Sequence, residues 1–141
     1  MLYLLPIFAL ALGVFFFWWL PKIEFLSKRG LSGADQAKMK SKWQEIKTLS
    51  AGTNNHEHRI AVLEADKLLD FIMKKKNFTG DTFGDKLNNN SSKISDLDKV
   101  WWAHKLRNRL AHEMEHQMHV GDAKRAVNIL GAAIRNLGGD I

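Results

Sequence analysis

Residues 60–76, IAVLEADKLLDFIMKKK, decide the fold class of this chain. Ile60, Leu63, Ala65, Leu68, Leu69 and Ile72 recur at helical rather than alternating spacing and supply a broad apolar face. Lys74, Lys75 and Lys76 close the segment, where cations suit the negative end of a helix dipole. The spacing predicts a helix over residues 55–76. His56 and His58, at its entry, are expected in a solvated loop.

Before this segment a first helix is expected from Ser32, with Asp35 three residues on as a short capping-box analogue. It should run to Leu49 and stop in the Ala-Gly-Thr-Asn-Asn breaker at 51–55. Downstream, NFTGDTFG (77–84) reads as a turn, residues 83–88 as a short helix and NNNSSKIS (88–95) as an exposed loop. A third long helix is expected from Asp96 to a point between His112 and Gln117. The last should begin at Asp122, after a break at Gly121, and close at Gly138-Gly139. With no proline, strand-like alternation or repeat after residue 32, the expected fold is all-α, a four- to five-helix antiparallel bundle over residues 33–141.

Ahead of the bundle the composition changes. Residues 2–20, LYLLPIFALALGVFFFWWL, are uncharged and apolar, and both prolines, Pro6 and Pro21, fall in the first 21 residues. As a helix this run would span about 28 Å, close to a bilayer core. Trp18 and Trp19 stand where an interfacial aromatic belt would lie. A cleaved signal peptide would want a basic start and small residues at its end; this run has neither. The expectation is a single-pass transmembrane anchor over 1–21 and a juxtamembrane linker over 22–32. Lys22, Lys28 and Arg29 follow the anchor, which places the amino terminus outside and the bundle in the cytoplasm.

The chain has no cysteine, which excludes disulfides, thiolate metal sites and a cysteine nucleophile. Its net charge of +6 lies wholly after residue 21 and suits an anionic membrane surface or nucleic acid, although a merely soluble basic surface would look the same.

The residues that carry chemistry cluster in WWAHKLRNRLAHEMEHQMH (101–119). On a helix, His104, Asn108, His112 and His116 form one i, i+4 row with Arg107 beside it, while Leu106, Leu110 and Trp102 can pack on the other side. Of Trp101 and Trp102, adjacent and so facing different ways, one is expected in the core and one as a partly exposed contact. Arg107, Asn108 and His112 make R-N-x-x-x-H, a cation, an amide and a proton carrier suited to phosphate chemistry. Arg107 and His112 nevertheless point about 140° apart on a continuous helix, so a shared phosphate would need a second subunit or a helix end near His112. A bland alternative has Asn108 and His112 holding helix ends while Arg107 pairs with Glu113 or Asp96.

Arg107-Asn108-Arg109-Leu110-Ala111-His112 resembles the R-N-x-x-x-H motif of the HEPN superfamily of small helical-bundle domains. The resemblance covers about residues 35–140, with the six-residue motif as its diagnostic part. It implies a homodimer that brings two motifs together, often for metal-independent RNA cleavage, while other members bind or assemble without catalysis. The expected function is thus RNA or nucleotide binding, or non-catalytic assembly, with endoribonuclease activity through Arg107, Asn108 and His112 as its catalytic form. A membrane-tethered protein-interaction scaffold is the alternative. No cofactor is expected.

His112, Glu113 and His116 also spell H-E-x-x-H, a helical zinc pattern, with His119 as a third ligand. Glu115 stands where zinc-peptidase helices bury an uncharged residue, and only Asp122 and Asp140 remain as acids after the histidines. The remaining metal reading is adventitious zinc or nickel on His112, His116 and His119.

Overall fold

A computed structural model describes residues 30–112 and 118–141. Among them are five α-helices, one 3-10 turn and no strand: α1 (Gly33–Ser50), α2 (Asn55–Lys75), α3 (Phe83–Asn89), a turn at Ser91–Lys93, α4 (Leu97–His112) and α5 (Val120–Asn136). The starts follow from side chains that satisfy orphan backbone donors. The Ser32 hydroxyl accepts from Asp35 N, and the Asn54 amide oxygen accepts from Glu57 N. Thr82 and Asp85 form a reciprocal capping box on α3. The start of α5 differs from expectation. It begins at Val120 and runs through Gly121, because His119 already serves as N-cap, without a side-chain bond.

The helices form the unit Leu31–Ile141, with α2 packed against α1, α4 and α5. The α2 core face carries Ala61, Val62, Ala65, Leu68, Leu69, Ile72 and Met73; Ile60 and Leu63 flank it, half-buried. Helix α1 runs antiparallel to α2, since Asp35 pairs with Lys75 and Lys42 with Glu64. It is also antiparallel to α5: Gln36 bonds Gly138 and Asp140, while Trp43 lies against Gly131. Met39, Trp43 and Ile46 of α1 and Ala126, Val127, Leu130 and Ile134 of α5 complete this side of the core.

The expected transmembrane helix needs correction. Crossing a hydrocarbon core takes about 20 largely apolar residues in succession, and among the described residues no helix is long and apolar enough to do so. Even α2, at 21 residues, has Glu64, Asp66, Lys67 and Asp70 through its middle. The run 2–20 on which the expectation fell lies outside the described residues, as does most of the linker assigned to 22–32.

At Gly131 a Cβ would stand 2.5 Å from the Trp43 ring, so the close approach of α5 to α1 depends on that glycine. Gly131→Ala should therefore destabilise the fold by about 1–3 kcal/mol in urea unfolding through overpacking, although alanine favours a helix interior by about 1 kcal/mol. A more stable variant would show that the contact yields.

Candidate functional site

The site begins with an acid on the wrong face of a helix. Asp66 follows Val62 by four residues and precedes Leu69 by three, which puts its carboxylate on the buried stripe of α2, 3% exposed. Such a group persists only if it is paired and hydrogen-bonded. Its partners come from α4. His104 Nδ1 lies 2.9 Å from Asp66 Oδ1, and Arg107 Nε lies 3.3 Å from Oδ2. Asn108 closes the circuit. Its Nδ2 lies 3.1 Å from His104 Nε2, and its Oδ1 accepts from Arg107 Nη1 at 3.0 Å. Asp66, His104, Asn108 and Arg107 thus form a closed ring of four side chains between two helices.

Aromatic rings wall it in. Phe83, the first residue of α3, stacks on His104 with centroids 4.1 Å apart and planes at 12°, and Trp101 meets the same imidazole edge-on at 5.9 Å. The turn before α3 supports this placement. Gly80 has φ +134, and a Cβ there would lie 2.6 Å from Lys86 N.

Beside the ring opens a cleft of about 380 Å³ whose lining includes Asp66, Lys67, Phe71, Phe83, His104 and Arg107. Asp70, Lys74 and Lys86 line it too. Lys86 is buried, and its ammonium donates to Asp70 Oδ1 at 2.7 Å, while Lys74 reaches Oδ2 of the same carboxylate. Burial works against ionisation of Asp70, but the two ammonium groups outweigh it and hold its carboxyl below the usual carboxylate range.

The expected site residues are only partly brought together. Arg107 and Asn108 share the ring, and Arg107 lines the cleft. Of the partners expected for Arg107 in the bland alternative, Asp96 pairs with Lys99 and Glu113 lies outside the described residues; the carboxylate found beside Arg107 is the buried Asp66. His112 is the last residue of α4, exposed, and is not part of the cleft lining. His116 and Glu113 lie outside the described residues. His119 caps α5 from an exposed position. Among the described residues no three His, Cys, Asp or Glu side chains gather where they could hold a metal ion.

Other expectations shift. His58 is not in a solvated loop but within α2 and 1% exposed, its Nδ1 without a hydrogen-bond partner among the described residues. Trp101 and Trp102 are both half-buried, and the Arg125 guanidinium lies 4.4 Å over the Trp102 ring. Asp66 and His104 are a pair of this site that the sequence does not show as a pair. The available signal was an acid at a core position of the 60–76 helix. Compared with family models, curated proteins and solved structures, the chain gives no match.

Asp70→Ala leaves the Lys86 ammonium buried and unpaired and should cost about 2–4 kcal/mol, whereas Lys86→Met, which removes the buried charge, should cost less. Urea unfolding of both variants checks the order, and equal costs would contradict it. Because Asp70 has a depressed folded-state pKa, its contribution is present above the ordinary carboxylate range and is lost as pH falls through the folded value. Asp70→Asn should flatten the fall in stability below about pH 4; an unchanged acid slope would place the loss elsewhere.

Proposed function

We propose that this chain is a HEPN-like helical domain that binds RNA or nucleotide phosphate at the cleft between α2 and α4 and acts as a homodimer. The observation that carries the reading is the placement of Arg107. Its guanidinium is steadied by Asp66 and Asn108 at a cleft that also holds Lys67, Lys74 and the rings of Phe71 and Phe83. Arginine grips phosphate through parallel N–H donors, and aromatic faces accept bases without demanding a sequence. The all-helical unit and the net charge of +6 agree with it.

Binding is favoured over cleavage within one subunit because Arg107 lines the cleft and His112 does not. Metal-independent cleavage would need a second copy to bring a His112 to the Arg107 phosphate. Arg107 would then stabilise the charge that builds on phosphorus, Asn108 would orient it, and His112 would move the proton.

The test is fluorescence anisotropy of a labelled single-stranded RNA with the full chain. Arg107→Ala should weaken binding about tenfold, the worth of one charge-assisted contact. It should also make the salt dependence shallower by about 0.7 in log–log slope. RNA binding that ignores Arg107→Ala would overturn the assignment of the cleft. A chain that self-associates but does not bind RNA would support the scaffold reading. RNA cleavage in EDTA that persists in His112→Ala would remove His112 as proton carrier.

A further inference from the structure

The ring around Asp66 contains a constraint that none of its members carries alone. A guanidinium only donates hydrogen bonds and a carboxylate only accepts them, while a carboxamide and an imidazole can each do both. Starting from Arg107, its Nη1–H must meet an acceptor, so the Asn108 oxygen faces it. That turns the Asn108 Nδ2–H groups toward His104, whose Nε2 must then be the acceptor. The imidazole proton is left for Nδ1, where Asp66 Oδ1 accepts it. The three aligned bonds of the circuit each join a donor to an acceptor in this arrangement alone. Turning the Asn108 amide over sets Nδ2–H against Arg107 and the oxygen against a bare Nε2, which loses two bonds.

The two contacts to Arg107 also differ in kind. Asp66 Oδ2 lies at ion-pair distance from Nε, yet Nε is buried without an aligned acceptor. Asp66 therefore supplies charge, and the aligned bond to Asn108 supplies direction. The direction of that amide is set in turn by His104, which is 8% exposed and clamped between Phe83 and the edge of Trp101.

We infer that His104, with its proton on Nδ1 and a bare Nε2, is a positioning residue that fixes the Asn108 amide and thereby aims the Arg107 guanidinium into the cleft. The ring engages Nε and one Nη1 proton and leaves the other N–H groups of the fork for a phosphate. His104 transfers no proton in this role. The inference rests on the cleft being a phosphate site, as proposed above, only for its functional consequence; the positioning itself can be read without a ligand.

The experiment is NMR on the full chain. Long-range proton–nitrogen correlation should place the His104 proton on Nδ1 at neutral pH, and a proton on Nε2 would overturn the inference. At low temperature the Arg107 Nη protons should appear as resolved signals, assigned by their loss in Arg107→Lys. His104→Asn keeps a donor within reach of Asp66 but has no atom at the Nε2 position, so it withdraws the acceptor together with the ring that Phe83 stacks on. In that variant the Arg107 signals should collapse to an average and RNA affinity should fall about tenfold, as for Arg107→Ala. Unchanged Arg107 signals in folded His104→Asn would reduce His104 to packing and overturn the positioning role. Should His104→Asn fail to fold, the His104 tautomer decides the role of His104, and Asn108→Ala tests the link itself: resolved Arg107 signals in that variant would overturn the positioning, since the half-buried Asn108 carries it. If the tautomer and the Arg107 signals are as expected but RNA does not bind, the positioning stands and the phosphate reading fails.

Discussion

A carboxylate on the core face of α2 sets the terms for everything around it. Burying Asp66 without partners would cost several kcal/mol, and nothing on its own helix can supply them. Helix α4 must therefore lie at a register that brings His104 and Arg107, one turn apart, to the two carboxylate oxygens. Apolar packing between α2 and α4 would tolerate small slides. A bidirectional polar ring does not, because each of its bonds fails at a displacement of about 1 Å. The ring supplies specificity of docking where the apolar surfaces supply most of the burial.

The short helix α3 depends on the same region. Seven residues are too few to hold a helix by backbone bonds alone. Its position is held at three points: the capping box at Thr82 and Asp85, the stack of Phe83 on His104, and the buried Lys86 ammonium on Asp70 of α2. Two of these reach α2 or α4 through polar or aromatic groups next to the ring. The cleft is the space left between these constraints, which explains why it combines cations, acids and aromatic rings rather than a purely apolar lining.

Much of the architecture could be read from local chemistry. Ser32, the breaker at 51–55 and the helix over 60–76 each carry their own signal and lie where their chemistry placed them, and the turn expected over 77–84 gives way to α3 at Phe83. The start of α5 could not be read from Gly121, because an exposed glycine with open space around it ends a helix only when tertiary contacts do not carry it on. Arg107 and Asn108 were legible as a pair and are bonded side by side. Their link to Asp66 was not, since it spans 38 residues or more and depends on how α2 and α4 dock. The row of His104, Asn108 and His112 was correct as helical geometry, but the row runs from a buried end at His104 to an exposed end at His112. Periodicity tells which residues share a face. It does not tell how deep along that face the neighbouring helix reaches.

Asp66 and His104 act as one buried unit in holding α4 to α2. A double-mutant cycle in urea unfolding, with Asp66→Ala, His104→Ala and the double variant, measures that coupling. The two losses should fall short of additivity by more than about 1 kcal/mol, because removing either residue already leaves its partner unsatisfied. Additivity within about 0.5 kcal/mol would mean that the two side chains merely sit near one another, and the ring would lose its place as the constraint on which the fold depends.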